Sequence, residues 1–213
     1  MKKIIFIFLG LITTVLISCN SNQNASKENT VQEEKKLSAS EQKKLNIYFS
    51  NFAEAMLESF NEREEIKNDE LIRFGIMFNY INNRKKFENI DEYNVKIKKE
   101  TIEETAQRFF EKSIKNHKSV EGVGYNNGYY SLPLADGEAY TFAQVDNFTE
   151  LEDSKYAATL SVYTAGSGWT GDAHANPSTW NNEDKPTIAY KVNAKVIKKD
   201  ANYILIEYIK EAI

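Results

Sequence analysis

Few residues in this chain have the types and spacing that catalysis or metal binding requires. Cys19 is the only cysteine, and the two histidines, His117 and His174, lie 57 positions apart, so zinc-ligand spacing is lacking. Gly166-Ser167-Gly168 lacks the five-residue G-x-S-x-G pattern of a serine nucleophile. No glycine-rich loop ends in Lys-Ser or Lys-Thr, as phosphate-binding loops do. We therefore predict no catalytic residue, no metal and no cofactor of these common kinds.

One long segment concentrates side chains that suit binding. Residues 165–186 join two predicted strands, although hairpins normally use about two to five residues. The segment holds both tryptophans, Trp169 and Trp180, together with Asp172 and His174. Indoles combine a large apolar area with an N–H donor and are frequent at binding hot spots, so these four residues form the candidate binding loop. The alternative is that both indoles fold back and cap the sheet core.

Cys19 follows a segment typical of a secretory signal peptide. Met1-Lys2-Lys3 is positive, residues 4–17 are mostly apolar, and this run is shorter than the roughly 17 to 25 residues that span a bilayer. Leu16-Ile17-Ser18-Cys19 resembles the bacterial lipobox, whose cysteine receives acyl chains and becomes residue one. Two acyl chains anchor a protein stably. We expect a lipoprotein held through lipidated Cys19 on the outer face of the cell membrane; an ordinary signal peptide with an incidental cysteine is the alternative.

The predicted organisation is a signal peptide over residues 1–18, a flexible tether over 19–37 and one folded domain over 38–213. Polar and charged residues dominate the tether, and such a stretch cannot offset its ordering entropy by burial. The net charge of −4 comes from interspersed acids and bases, without the clustered Lys/Arg face of nucleic-acid-binding proteins. The membrane is therefore a predicted partner, and nucleic acid is not.

Apolar residues at steps of three and four predict helices in the N-terminal half. Ser38 and Glu41 have the spacing of a capping box, and Asn68 or Asp69 is expected to cap the second helix. Phe78 lies on the most apolar helix and is predicted to be buried. The predicted helical ranges are 39–61, about 68–81 and about 100–115.

Most other carboxylates are better explained by local structure than by chemistry. Glu100, Glu103 and Glu104 fall at the start of the third helix, where its dipole favours negative charge, and are expected on an exposed face. Asp136 and Glu138 are not followed by the regularly spaced oxygen ligands of a calcium loop. They are interpreted as turn residues.

After His117 the apolar pattern alternates with a period of two, as strands do. Asn127-Gly128 between tyrosines predicts a hairpin with a type I′ turn. Helices followed by strands predict an α+β fold, with about three N-terminal helices packed on one face of a C-terminal antiparallel sheet. Besides the hairpin and a short strand at 93–97, the predicted strands are 140–148, 156–162, 188–196 and 203–209.

Several segments resemble a known group of proteins. The lipobox, the polar tether, Asn51-Phe52-Ala53-Glu54, residues 71–75, 127–130 and 135–138 are similar to uncharacterised surface lipoproteins of low-GC Gram-positive bacteria. This resemblance implies an anchored α+β domain and carries over no catalytic residue. The order of elements is also similar to nuclear transport factor 2-like and cystatin-like cones, an analogy of fold that does not give function.

Two functions remain. The favoured one is an extracellular binding or interaction module for a protein, a glycan or a small ligand. The alternative is an extracytoplasmic hydrolase that acts on cell-wall or extracellular polymer, with Asp172, His174 and Asp184 as its candidate residues. A pocket with two inward carboxylates and a raised pKa would favour the enzyme, whereas an aromatic patch without them would favour the binder.

Overall fold

The computed structural model describes residues 35–135, 139–181 and 184–213. The predicted signal peptide, Cys19, most of the tether and the turn residues 136–138 lie outside these ranges. The predicted α+β class is confirmed, but the described strands form two antiparallel four-stranded sheets rather than one. The helices are α1 (Ala39–Glu54), α2 (Asn68–Asn82) and α3 (Lys99–Phe110), and the strands are β1 (Glu88–Asn89), β2 (Asn94–Lys98), β3 (Gly124–Asn126), β4 (Tyr129–Pro133), β5 (Ala139–Glu150), β6 (Lys155–Gly166), β7 (Thr187–Lys199) and β8 (Asn202–Glu211).

The two predicted helix caps have different outcomes. At the start of α1 the capping box is confirmed: Ser38 Oγ accepts from the backbone N–H of Glu41 at 3.3 Å, and the Glu41 carboxylate accepts from that of Ser38 at 3.0 Å. The cap predicted at the start of α2 is wrong, because Asn68 is already helical. Its side chain instead accepts from the backbone N–H of Lys115 at 2.8 Å and donates to the Asn116 carbonyl at 2.7 Å.

Helix α1 ends seven residues earlier than the predicted position 61, at Glu54. Met56 adopts a positive φ of 53°, and its N–H donates to the Ala53 carbonyl at 3.0 Å. The N–H of Leu57 donates to the Phe52 carbonyl at 2.9 Å, which completes a Schellman closure. Glycine usually occupies the Met56 position in this motif, so the sequence carried no stop signal there.

Helix α3 also ends early, at Phe110 rather than near 115. Glu111 has a φ of 51°, in the left-handed region, and so turns the chain out of the helix. Lys112 and Lys115 therefore lie beyond the helix, where both pair with Glu65, at 2.8 and 3.6 Å.

The smaller sheet has the strand order β1-β2-β4-β3. Its Asn127-Gly128 hairpin is confirmed, since both residues have positive φ, 47° and 82°. Strand β2 precedes α3 in the chain yet pairs with β4 of the hairpin, with Ile97 opposite Tyr130. Because of this long-range pairing, the hairpin belongs to the smaller sheet and not to the single predicted sheet. The described strands therefore form two sheets.

The larger sheet is a meander, β5-β6-β7-β8. Polar side chains of α1 bond to its first strand: Asn46 Oδ1 accepts from the Val145 N–H at 2.9 Å, and Ser50 Oγ accepts from the Ala143 N–H at 2.9 Å. These bonds satisfy buried polar groups that would otherwise cost free energy. They also fix the position of α1 along β5.

Phenylalanines from all three helices meet in the core. The ring of Phe74 lies 5.4 Å from that of Phe52 and 4.9 Å from that of Phe110, between centroids. Phe78 is 6% exposed, which confirms its predicted burial. Gly75 permits a close approach of α2 to α3, because a Cβ at this position would lie 2.5 Å from the Ile102 side chain. Among the described helices, none is long and apolar enough to cross a membrane.

Candidate functional site

The tryptophans of the candidate binding loop are buried against the larger sheet. Trp169 and Trp180 are only 7% and 6% exposed. The Trp169 ring stacks on Phe142 of β5 at 5.5 Å with an interplanar angle of 8°, and Trp180 meets Trp169 edge-on at 5.5 Å. The Trp180 indole N–H donates to the Asp172 carbonyl at 3.0 Å. Of the two alternatives left open by the sequence, the indoles fold back on the sheet, where they form a small buried cluster with Phe142 and Ala165 that is separate from the main core.

Local features of the loop explain why the indoles fold back. Gly171 passes directly over Trp169, and a Cβ there would lie 2.4 Å from the indole ring. Asn176 accepts from the Ser178 N–H at 3.0 Å and so starts a short 3₁₀ turn, Pro177–Thr179. The side chain of buried Gln144 in β5 donates to the Ala175 carbonyl at 3.1 Å. The loop is thus attached to the sheet by both apolar and polar contacts.

Asp172 and His174 are adjacent but are not arranged as a catalytic pair. The Asp172 carboxylate accepts from Lys43 at 2.9 Å and from the backbone N–H of His174 at 2.9 Å, and these bonds, Lys43 first, hold its pKa below the usual range. Burial lowers the pKa of His174, and its buried Nδ1 has no hydrogen-bond partner among the described residues. Asp184 is exposed with a φ of 57°, and no described hydrogen bond joins it to either residue.

A hydrogen-bonded chain that sequence reasoning missed joins α3 to the smaller sheet. His117 Nε2 lies 2.7 Å from the Glu103 carboxylate, and its Nδ1 lies 2.7 Å from the Tyr130 hydroxyl. A neutral imidazole with its proton on Nε2 satisfies both contacts, donating to Glu103 and accepting from Tyr130. Glu103 is therefore a bonding partner of a histidine and not simply an exposed helix-start residue.

Tyr130, the last residue of these hydrogen-bonded contacts, is not suited to act as a nucleophile. Its side chain is fully buried, and this burial raises its pKa far above the usual range, with Tyr125 and then Glu103 adding to the shift. The phenol consequently keeps its proton and serves as a donor. The contact gives His117 a structural role, because its ring forms a hydrogen bond with the buried Tyr130 hydroxyl. No local spacing in the sequence could have revealed this contact.

A separate open cavity lies between α1, α3 and the turn that joins β7 to β8. We call it the α1–α3 pocket; it has a volume of about 270 Å³ and is lined by Lys44, Tyr48, Arg108, Phe109 and residues 201–203. The Tyr48 hydroxyl donates to the Tyr203 carbonyl at 3.1 Å, and the two rings lie 5.8 Å apart. The aromatic side of the pocket is thereby fixed in place.

Two cations stand at the edge of this aromatic wall. Lys44 and Arg108 are both exposed, and neither forms an ion pair within the part of the chain that the structure describes. The Arg108 guanidinium lies 4.9 Å from the centre of the Phe109 ring, within the range of a cation–π contact. Burial raises the pKa of Tyr48 well above its usual range; neighbouring Tyr203 adds to this shift and Arg108 opposes it. The pocket thus combines apolar surface with positive charge.

The feature that would favour a hydrolase is not found among the described residues. Burial raises the pKa of the Glu54 carboxyl group, and a hydrogen bond from Asn82 opposes that shift. The described cavity lined by several carboxylates, Glu100, Glu103 and Glu104, does not include Glu54, and no described group of three or more His, Cys, Asp or Glu could hold a metal ion.

No protein-family model matches the chain, and no curated protein or solved structure is significantly similar to it. The resemblance to surface lipoproteins and the analogy with cone-shaped folds therefore remain predictions from the sequence.

Proposed function

We propose that this protein is a lipid-anchored, extracytoplasmic binding module that takes its ligand in the α1–α3 pocket. The observation that carries the proposal is the pocket itself, an open cavity with an aromatic wall and two cations that have no described ion-pair partner. Small-molecule sites are typically concave, apolar cavities with a few placed polar groups. The lipobox ending at Cys19 and the polar tether support a location at the membrane surface.

We infer in addition that the three helices together cover one face of the β5–β8 sheet. The bonds from Asn46 and Ser50 to β5 support this packing for α1. The α1–α3 pocket supports it for α3, because α1, α3 and the turn before β8 all contribute to its lining. In this arrangement the pocket opens where the helical layer meets the end of the sheet.

The pocket replaces the tryptophan loop as the proposed ligand site. Because Trp169 and Trp180 are buried against Phe142, their rings are not available to a partner without opening the loop. The hydrolase alternative is less favoured, because the Asp172 carboxylate is bonded to Lys43 and to the backbone N–H of His174.

The binding proposal can be tested with 8-anilino-1-naphthalenesulfonate, a dye whose fluorescence rises in apolar sites. Ala201 is an exposed turn residue at the pocket, so Ala201→Trp is expected to fill the cavity without disturbing the fold. We expect the wild-type protein to bind the dye at one site and the variant to lose that signal. Tyr93→Trp, which adds an indole at another exposed position, is the matched control. Equal binding by the wild type and by Ala201→Trp would contradict the proposal.

A further inference from the structure

The two cations of the α1–α3 pocket, Lys44 and Arg108, form no ion pair with a described residue. Several lysines near the lining residues in the sequence form ion pairs: Lys43 with Asp172 at 2.9 Å, Lys112 with Glu65 at 2.8 Å, and Lys199 with Glu111. Lys44 and Arg108 have no such partner within the described ranges. A chain with a net charge of −4 therefore presents, at one cavity, two cations without a described ion-pair partner.

The polar groups of the pocket wall include the Tyr48 hydroxyl, the Asn202 side-chain amide and the two cations. The Tyr48 hydroxyl is committed to the Tyr203 carbonyl at 3.1 Å. Arg108 lies over the Phe109 ring, a position that leaves the N–H groups at the edge of the guanidinium free to donate. Such an edge matches the two oxygens of a carboxylate or a phosphate, and a lysine adds a point charge. The groups available for recognition are thus cationic at one end of the pocket and aromatic at the other.

We propose that the α1–α3 pocket binds an organic anion, in which a phosphate or carboxylate group carries an apolar or aromatic group. Arg108 and Lys44 hold the anionic group, and the partly exposed rings of Tyr48 and Tyr203 contact the apolar part. A cavity of about 270 Å³ suits a ligand of roughly the size of phenyl phosphate. This inference rests on the proposed function, because it names the ligand class of the same site.

The test is an NMR titration of the full-length protein with phenyl phosphate and, separately, with phenol, at constant ionic strength. We expect amide shifts around Tyr48 and Phe109 with both compounds and tighter binding of phenyl phosphate. Arg108→Gln and Lys44→Gln should each weaken phenyl phosphate binding about tenfold, which corresponds to about 1.4 kcal/mol, and should leave phenol binding unchanged. Arg63→Gln and Lys85→Gln remove the same charges at exposed positions outside the pocket and should have no effect.

The outcomes separate this inference from the proposed function. Equal affinity for phenol and phenyl phosphate, together with loss of dye binding in Ala201→Trp, would overturn the anion preference and leave the pocket as a binding site. Absence of binding by both compounds and by the dye would overturn both. Equal effects of Arg108→Gln and Arg63→Gln would likewise overturn the anion site, because general electrostatics would then explain the binding.

The same chemistry could be supplied by a soluble anion or by a lipid headgroup, and sedimentation with vesicles distinguishes them. The Cys19→Ser protein is mixed with phosphatidylglycerol or phosphatidylcholine vesicles. Binding to the anionic vesicles alone, lost in Arg108→Gln, supports the anion site with a headgroup as the source. Binding of phenyl phosphate without binding to either vesicle supports the anion site with a soluble source.

Discussion

Replacing the loop tryptophans one at a time should destabilise the whole fold. Trp169 and Trp180 are 7% and 6% exposed, and Trp169 stacks on the fully buried ring of Phe142. Truncation of a buried tryptophan to alanine costs about 3 to 5 kcal/mol through lost transfer energy and a residual cavity. Total stability of a domain is about 5 to 15 kcal/mol. Either variant should therefore remove a large fraction of the free energy of unfolding.

Phenylalanine substitutions refine this expectation, because the two indole N–H groups differ. Trp180 donates to the Asp172 carbonyl at 3.0 Å, so Trp180→Phe should lose about 1 kcal/mol for this bond in addition to packing. The Trp169 N–H is buried with no partner among the described residues, so Trp169→Phe removes a group that costs free energy to bury. We expect Trp169→Phe to be the milder of the two.

Urea unfolding followed by circular dichroism measures both effects. Tyr93→Ala, at a residue 68% exposed, serves as the control and should stay within about 0.5 kcal/mol of the wild type. If Trp169→Ala and Trp180→Ala behaved like this control, the indoles would not be packed against the sheet, and the loop would again be the candidate binding site.

Three further variants test other parts of the structure by the same unfolding assay. Phe78→Ala should cost about 3 to 5 kcal/mol, because the ring is 6% exposed in the helical core; an unchanged midpoint would contradict its burial. His117→Ala should cost about 1 to 3 kcal/mol by leaving the buried Tyr130 hydroxyl unpaired, and restoration by a second change, Tyr130→Phe, would support that cause. Since burial lowers the pKa of His174, the unfolded chain takes up this proton more readily, so stability should fall as the pH drops below 6.5. His174→Gln should reduce this loss of stability at low pH relative to the wild type. An identical pH dependence in the two proteins would refute the role of His174.

Local signals in the sequence were sufficient where the structure depends on neighbouring residues. The capping box of Ser38 and Glu41 and the type I′ turn at Asn127-Gly128 are each set within four residues, and both are confirmed. The helix ends were missed for an equally local reason. Met56 and Glu111 take left-handed conformations that glycine usually supplies, so their identities gave no signal that the helices stop there.

The pairing of β2 with β4 and the lining of the α1–α3 pocket depend on contacts between distant segments. Lys44, Arg108 and Tyr203 are far apart in the chain, and each is unremarkable in its own stretch. The tryptophan loop attracted attention because its composition is unusual, whereas burial of the indoles depends on Phe142 in another strand. Spacing along one segment cannot reveal a site that three segments assemble.

The central claim is that Cys19 anchors the protein to the membrane, and fatty-acid labelling tests this claim most directly. Cells that express the full-length protein are labelled with an alkyne fatty acid, the protein is purified, and the label is detected on a gel. We expect the wild type to carry the label and to fractionate with the membrane, and we expect Cys19→Ser to carry none and to leave the membrane fraction or accumulate as an uncleaved precursor. An unlabelled wild-type protein, or a Cys19→Ser variant labelled to the same extent, would contradict the anchored binding module proposed here.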